Sequence, residues 1–131
     1  MKKSTIIGTL ILVCFLIIPG CTSSEEKNIN DTKLRHVVLF KFKDSATKEE
    51  VKVANDAFLA LPDKIAEIKD FEWGLNNSPE NHHQGLTHCY ILTFESEEDL
   101  AVYLPHPDHK AFGEILGPIL DKVVVVDYWT K

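Results

Sequence analysis

The last segment of the chain is apolar on both sides, and few folds can accept such a segment. Four consecutive valines, Val123–Val126, lie inside a predicted strand that extends from Lys122 to Trp129. Neighbouring strand residues point to opposite faces of a sheet, so both faces of this strand carry apolar side chains. We therefore expect this strand at the centre of a sheet or between two layers.

The first predicted strand, Leu34 to Lys43, has the same two-sided character. One face carries His36 and three apolar residues, and the other carries Val37 and Leu39 among basic residues. This period-two alternation is the main sequence signal for a strand. Because both faces are apolar at the strand centre, we expect both to be covered.

Between these two strands the sequence predicts a helix, two strands and a second helix. The capping box Thr47-x-x-Glu50 begins the first helix. Alternating apolar residues predict strands over Phe71–Leu75 and Leu86–Phe94, and Ser96 caps the second helix. The order β-α-β-β-α-β predicts an α+β, ferredoxin-like fold, in which helices cover one face of a four-stranded antiparallel sheet.

A single copy of this fold would leave the second sheet face bare. The predicted helices form one layer, whereas the first and last strands are apolar on two faces. A second copy can cover the bare face with its own sheet, which predicts a homodimer with the form of a dimeric α/β barrel. The alternative is a large exposed apolar sheet face, which monomeric soluble proteins rarely have.

The first twenty residues have the pattern of an export signal. Two lysines precede an uncharged run, Ile6–Ile18, whose thirteen residues are fewer than the roughly 20 that a membrane span needs. The next residues, Pro19-Gly-Cys21, resemble the end of a bacterial lipobox. We therefore expect residues 1–20 to be a lipoprotein signal peptide and Cys21 to carry lipid. The alternative is a plain secretory signal with an incidental cysteine.

The next segment, residues 21–33, is too polar to bury a core and is expected to be a flexible tether. The folded domain, residues 34–131, would then be exported and held at a membrane of the bacterial cell envelope. The net charge of −6 argues against nucleic acid as a partner. Lipid on Cys21 would leave Cys89 without an intramolecular partner, so no disulfide is expected.

Polar side chains cluster where the second helix is interrupted. Pro105 and Pro107 forbid an unbroken helix, so the chain should kink at His106 and resume a helix near Asp108. The resumed helix has an apolar face that extends to Leu120. Tyr103, His106 and His109 flank the kink, which suggests a pocket wall. The alternative is a helix corner whose histidines only bind backbone groups.

The other histidines have simpler interpretations. His36 and His88 are expected to be buried strand residues bonded to neighbours, with ligand contact as the second interpretation. A hydrogen bond from His106 would stabilise the kink. Pro107 disturbs the spacing that His106 and His109 would need as ligands, so no metal site is expected. No cofactor motif is present in the sequence, and no cofactor is expected.

Several short motifs are distributed along the predicted domain: His36–Lys43, Trp73-Gly74, Gly85–His88, Phe94–Ser96, Tyr103, His106–His109 and Val126–Tyr128. As a set they resemble the stress-responsive dimeric α/β-barrel (Dabb) family. The resemblance extends from His36 to Tyr128 and implies the ferredoxin-like fold and the face-to-face dimer.

The family also implies two kinds of function. Most members are associated with stress responses, and one plant member is a polyketide cyclase that uses neither a metal nor an organic cofactor. Its acid and base groups match Tyr103 and His109, and a pocket histidine matches His36. The cyclase pocket has a tyrosine on the first helix. This chain has Phe58 there and therefore lacks that hydroxyl.

Two functional hypotheses follow. The first is a stress-response module that binds a small apolar or carbonyl-bearing molecule, with His36, His88 and His106 as polar contacts beside Tyr103 and His109. The second is a cofactor-free cyclase or lyase with His109 as base and Tyr103 as acid. A helix N-terminus disfavours positive charge on His109, which suits a base. The first hypothesis is preferred, because the sequence identifies no substrate.

Overall fold

A computed structural model describes residues 32–131 of the protein. The predicted signal peptide (1–20), the lipid site Cys21 and the tether up to residue 31 lie outside the described residues. None of the helices between residues 32 and 131 has the length and hydrophobicity that a membrane span requires.

The described part of the chain forms a four-stranded antiparallel sheet with three α-helices. A short 3-10 turn, Leu61–Asp63, follows the first helix. The elements are β1 (Leu34–Phe42), α1 (Lys48–Leu59), β2 (Asp70–Leu75), β3 (His88–Phe94), α2 (Glu97–Tyr103), α3 (Pro107–Leu116) and β4 (Leu120–Trp129). The strands lie in the order β2-β3-β1-β4, which confirms the predicted ferredoxin-like fold.

The helix boundaries follow the predicted capping residues. The Thr47 hydroxyl accepts a hydrogen bond from the Glu50 amide at 3.2 Å, and the Thr47 amide donates to the Glu50 carboxylate at 2.8 Å. Ser96 caps α2 through the Asp99 amide. These bonds satisfy backbone amides that a helix N-terminus otherwise leaves unpaired.

The predicted kink is present. Helix α2 ends at Tyr103, and α3 begins at Pro107. His106 has an extended backbone, with φ −57° and ψ 137°, and its Nδ1 accepts a hydrogen bond from the Asp108 amide at 3.2 Å. Proline is well placed at the first position of α3, because that position needs no amide donor.

Several predicted element ends were wrong, including the starts of β2 and β4, which begin at Asp70 and Leu120. Strand β1 ends at Phe42, one residue before the predicted end, and its pairing with β4 shifts register between Lys41 and Phe42. Strand β3 begins at His88, since the two preceding residues belong to the loop that turns at Gly85. Helix α3 ends at Leu116, and Leu120 belongs to β4 instead of the helix. Apolar residues continue across that helix–strand junction, so hydrophobicity alone could not locate it.

The helices cover one face of the sheet and bury an aromatic core there. Phe58 of α1 stacks on Phe112 of α3, with 4.4 Å between ring centroids, and both rings lie near Tyr90 or Phe40 of the sheet. Tyr90 is fully buried, and its hydroxyl donates to Asn55 at 2.7 Å. This layer fixes the helices over the centre of the sheet.

The opposite face of the sheet, called the open face here, is not covered by any element within residues 32–131. Val37, Ile91 and Val126 share this face, because they are paired across the strands. Val126 is 50% exposed. The predicted position of β4 at the sheet centre is wrong, because β4 is an edge strand. The alternative, a position between two layers, stays a prediction.

The two ends of the domain are joined to each other. The Lys33 amide donates to the Thr130 hydroxyl at 2.8 Å, and the Thr130 amide donates to the Lys33 carbonyl at 2.9 Å. The β2–β3 loop meets the opposite end of β1, where the Thr87 amide donates to the Phe40 carbonyl. The chain therefore enters and leaves the domain at one end of the sheet.

Candidate functional site

A cavity of about 290 Å³ lies between the sheet and α3, and we call it the helix-side cavity. Most of its wall is aliphatic or aromatic, including Phe58 and Phe112. Four polar residues also line it and are called the polar cluster: His36, Tyr103, His109 and Asp127. An apolar cavity with a few polar groups is the usual form of a small-molecule site.

The kink between α2 and α3 positions His109. Its Nδ1 lies 2.9 Å from the carbonyl oxygen of Leu104, the residue that follows α2. A carbonyl only accepts hydrogen bonds, so Nδ1 carries the proton and donates it. In the neutral ring, Nε2 then has a free lone pair and can accept a proton or a hydrogen bond.

Tyr103 is the last residue of α2 and is fully buried. Its ring centroid lies 4.3 Å from that of His109 and 5.8 Å from that of His36. Its hydroxyl has no hydrogen-bond partner among the described residues. Burial raises the pKa of Tyr103, so the group stays a neutral donor. A buried hydroxyl without a partner costs about 1–3 kcal/mol, and a ligand oxygen could remove that cost.

His36 is bonded to a residue that the sequence analysis missed. His36 on β1 and Asp127 on β4 are directly paired, and His36 Nδ1 lies 2.6 Å from the Asp127 carboxylate. The prediction of a buried strand histidine bonded to a neighbour is therefore confirmed for His36, which is 5% exposed. Asp127 has the same parity along β4 as Val123 and Val125, so its position on the helix side could have been read from the alternation.

The structure does not bring His88 and His106 to the helix-side cavity. His88 bonds to the Thr87 hydroxyl at 2.9 Å and contacts the Phe42 ring. It lines a second cavity, of about 410 Å³, between β2, β3 and the loop that joins them. Burial lowers the pKa of His88. His106 caps α3. Their predicted contacts with a ligand remain predictions.

No metal site is formed within the part of the chain that the structure describes. No group of three or more His, Cys, Asp or Glu residues could hold a metal ion there. Cys89 is a free cysteine in this part of the chain, and burial raises the pKa of its thiol.

Known proteins resemble this chain over the whole described domain. Residues 34–130 match the model of the stress responsive A/B barrel domain (Dabb) family. The stress-response A/B barrel domain-containing protein HS1 of Arabidopsis thaliana is 42% identical over 95 residues, which cover 72% of this chain and 87% of that protein. Olivetolic acid cyclase of Cannabis sativa is 32% identical over 95 residues, which cover 72% of this chain and 94% of that enzyme.

Solved structures share the fold. The hydroxynitrile lyase of Passiflora edulis superposes with a TM-score of 0.71 at 26% identity, covering 76% of this chain and 94% of the lyase. A dimeric ferredoxin-like protein of unknown function from Bacteroides fragilis has a TM-score of 0.62 at 33% identity. The match covers 75% of this chain and 96% of that protein. These relatives consist almost entirely of the matched domain, so a domain of this size folds on its own. The chain belongs to the stress responsive A/B barrel domain (Dabb) family.

Proposed function

We propose that the protein binds a small apolar molecule that carries a carbonyl or hydroxyl oxygen, and that it does so in the helix-side cavity. The observation that carries this proposal is the buried Tyr103 hydroxyl, which has no partner among the described residues. The apolar wall would hold the body of the ligand, and the Tyr103 hydroxyl would donate a hydrogen bond to its oxygen. The volume of about 290 Å³ lies just below the usual range for ligand sites, roughly 300–1,000 Å³, and suits a small ligand.

A second candidate is acid–base chemistry on the same ligand. The rings of Tyr103 and His109 are close, with 4.3 Å between centroids, and the bond to Leu104 leaves His109 Nε2 as an acceptor. Tyr103 would donate to a carbonyl oxygen, while His109 would take a proton from the adjacent carbon. This cofactor-free reaction suits a cyclase or lyase, and two relatives are named as such enzymes.

We also propose that the protein is a homodimer, joined through the open face, and that it is anchored to a membrane of the bacterial cell envelope by lipid on Cys21. The apolar open face supports the dimer, and the Bacteroides fragilis relative is described as dimeric. The anchor is supported by the sequence pattern before Cys21.

The variant Tyr103→Phe tests the binding proposal. Binding of 4-propylbenzamide to residues 32–131 would be measured by titration calorimetry, with Tyr128→Phe as the matched control. Loss of one hydrogen bond should weaken binding about tenfold in the first variant only. Unchanged affinity in Tyr103→Phe, or no binding to the unmodified domain, would contradict the proposal.

A second measurement separates binding from acid–base chemistry. The domain would be incubated with 2-octanone in D₂O, and deuterium uptake beside the carbonyl followed by NMR. If His109 is a base, His109→Gln stops catalysed exchange while ketone binding persists, and His82→Gln in the exposed loop changes neither. Absence of catalysed exchange in the unmodified domain would leave the binding role alone.

A further inference from the structure

We propose that Asp127 makes the helix-side cavity selective for uncharged ligands that donate a hydrogen bond. It would do so in two ways, by fixing the tautomer of His36 and by placing negative charge beside the ligand. The inference rests on the proposed function, because it names the class of molecule that the same cavity takes.

The first effect follows from the geometry of the His36–Asp127 pair. Asp127 Oδ1 lies 2.6 Å from His36 Nδ1, and both residues line the cavity. An ionised carboxylate can only accept a hydrogen bond, so the proton is on Nδ1. In its neutral form the ring keeps Nε2 as an acceptor, and no hydrogen bond to Nε2 occurs within residues 32–131.

His109 repeats this arrangement with a different partner. The Leu104 carbonyl holds the Nδ1 proton of His109, as Asp127 holds that of His36. The polar cluster thus contains two imidazole acceptors and one donor, the Tyr103 hydroxyl, whose ring contacts both imidazoles. A ligand that only accepts hydrogen bonds can satisfy Tyr103 alone. A ligand with an O–H or N–H group can also bond to an imidazole.

The second effect is electrostatic. Asp127 is the acidic residue of the cavity wall, and no lysine or arginine is present among the residues that line it. The Asp127 side chain is 43% exposed, which reduces the repulsion of an anion but does not abolish it. A carboxylate ligand would also lack the proton that the imidazoles accept. Both effects disfavour anionic ligands, including fatty acids in their ionised form.

Two probes of nearly equal shape test the selectivity. At about pH 8, 4-propylbenzamide is neutral and donates N–H bonds, whereas 4-propylbenzoate is an anion. Titration calorimetry on residues 32–131 should show the amide binding at least about tenfold more tightly. In Asp127→Asn, the preference for the amide over the benzoate should fall below about threefold. Asp121 is on the same strand but outside the cavity wall, so Asp121→Asn should bind the two probes with the same affinity ratio as the unmodified domain.

The tautomer can be measured without a ligand. ¹⁵N chemical shifts of labelled histidine distinguish the two neutral tautomers from the imidazolium ion. We expect His36 to be neutral with the proton on Nδ1, and Asp127→Ala to shift it toward the Nε2–H form. An Nε2–H form or an imidazolium ion in the unmodified domain would overturn the inference.

The outcomes separate the two proposals. Equal affinity for the amide and the benzoate in the unmodified domain would overturn the selectivity and leave the binding function standing. If neither probe binds, the proposed function fails and the selectivity fails with it. Circular dichroism of each variant shows whether the fold is retained.

Discussion

At the scale of single residues, the two histidines of the polar cluster are held by hydrogen bonds within the protein. The Leu104 carbonyl and the Asp127 carboxylate each bind Nδ1 of one imidazole, and those bonds leave Nε2 of each neutral ring as an acceptor. Tyr103 differs, because its hydroxyl is left without a protein partner among the described residues. The free energy cost of that hydroxyl is the clearest sign of a site, since proteins seldom bury a polar group unpaired.

His88 gives a prediction about pH. Burial lowers its pKa in the folded state below the ordinary value, so folding favours the neutral ring. Its contribution to stability is therefore complete above the unfolded-state pKa, near 6.5, and is lost as the pH falls through the lower folded-state pKa. The melting temperature should fall less between neutral and acidic pH in His88→Gln than in the unmodified domain. His82→Gln should follow the unmodified domain, and identical pH profiles for all three proteins would contradict this assignment.

At the scale of elements, the caps fix where the helices begin. The Thr47 hydroxyl and the Glu50 carboxylate bond reciprocally to each other's backbone amides at the start of α1. Thr47→Ala removes the hydroxyl and should lower the free energy of unfolding by about 1 kcal/mol. Urea denaturation would measure the change, with Thr32→Ala, at an exposed position before β1, as the matched control. Equal losses in both variants would show that the cap is not the cause.

The elements also show what the sequence could and could not predict. Caps and prolines are local signals, so the start of α1 and the kink before Pro107 were predicted correctly. The end of α3 and the start of β4 depend on long-range pairing with β1, which no local pattern reports. The apolar character of β4 was recognised, but periodicity could not distinguish an edge strand from a central one.

In the candidate site, too, local sequence signals were read correctly and long-range contacts were missed. Tyr103 and His109 were placed together because the kink joins them in sequence. Asp127 was missed because its partner His36 is 91 residues away, and only the strand register brings the two together. His88 was grouped with His36 because both alternate with buried residues. It lies nearer the β2–β3 loop, however, and lines a different cavity.

At the scale of the whole molecule, the open face should control assembly. Val126 is 50% exposed on that face, and Val53 is 49% exposed on α1. Val126→Glu would place a charge inside the proposed sheet-to-sheet contact and should convert the dimer to a monomer at micromolar concentration, whereas Val53→Glu should leave it dimeric. Light scattering on residues 32–131 measures the mass. A monomeric unmodified domain would refute the proposed dimer.

The bonds between Lys33 and Thr130 have a practical consequence for the proposed anchor. Both chain ends emerge from the same side of the molecule, so an antibody epitope fused after Lys131 would be crowded by the lipid surface. The β2–β3 loop, at the far end of β1, would instead face outward from the cell membrane and accept a label freely. Under the proposed anchor, the two hydrogen bonds between Lys33 and Thr130 would place both chain ends on the side of the domain nearest the membrane.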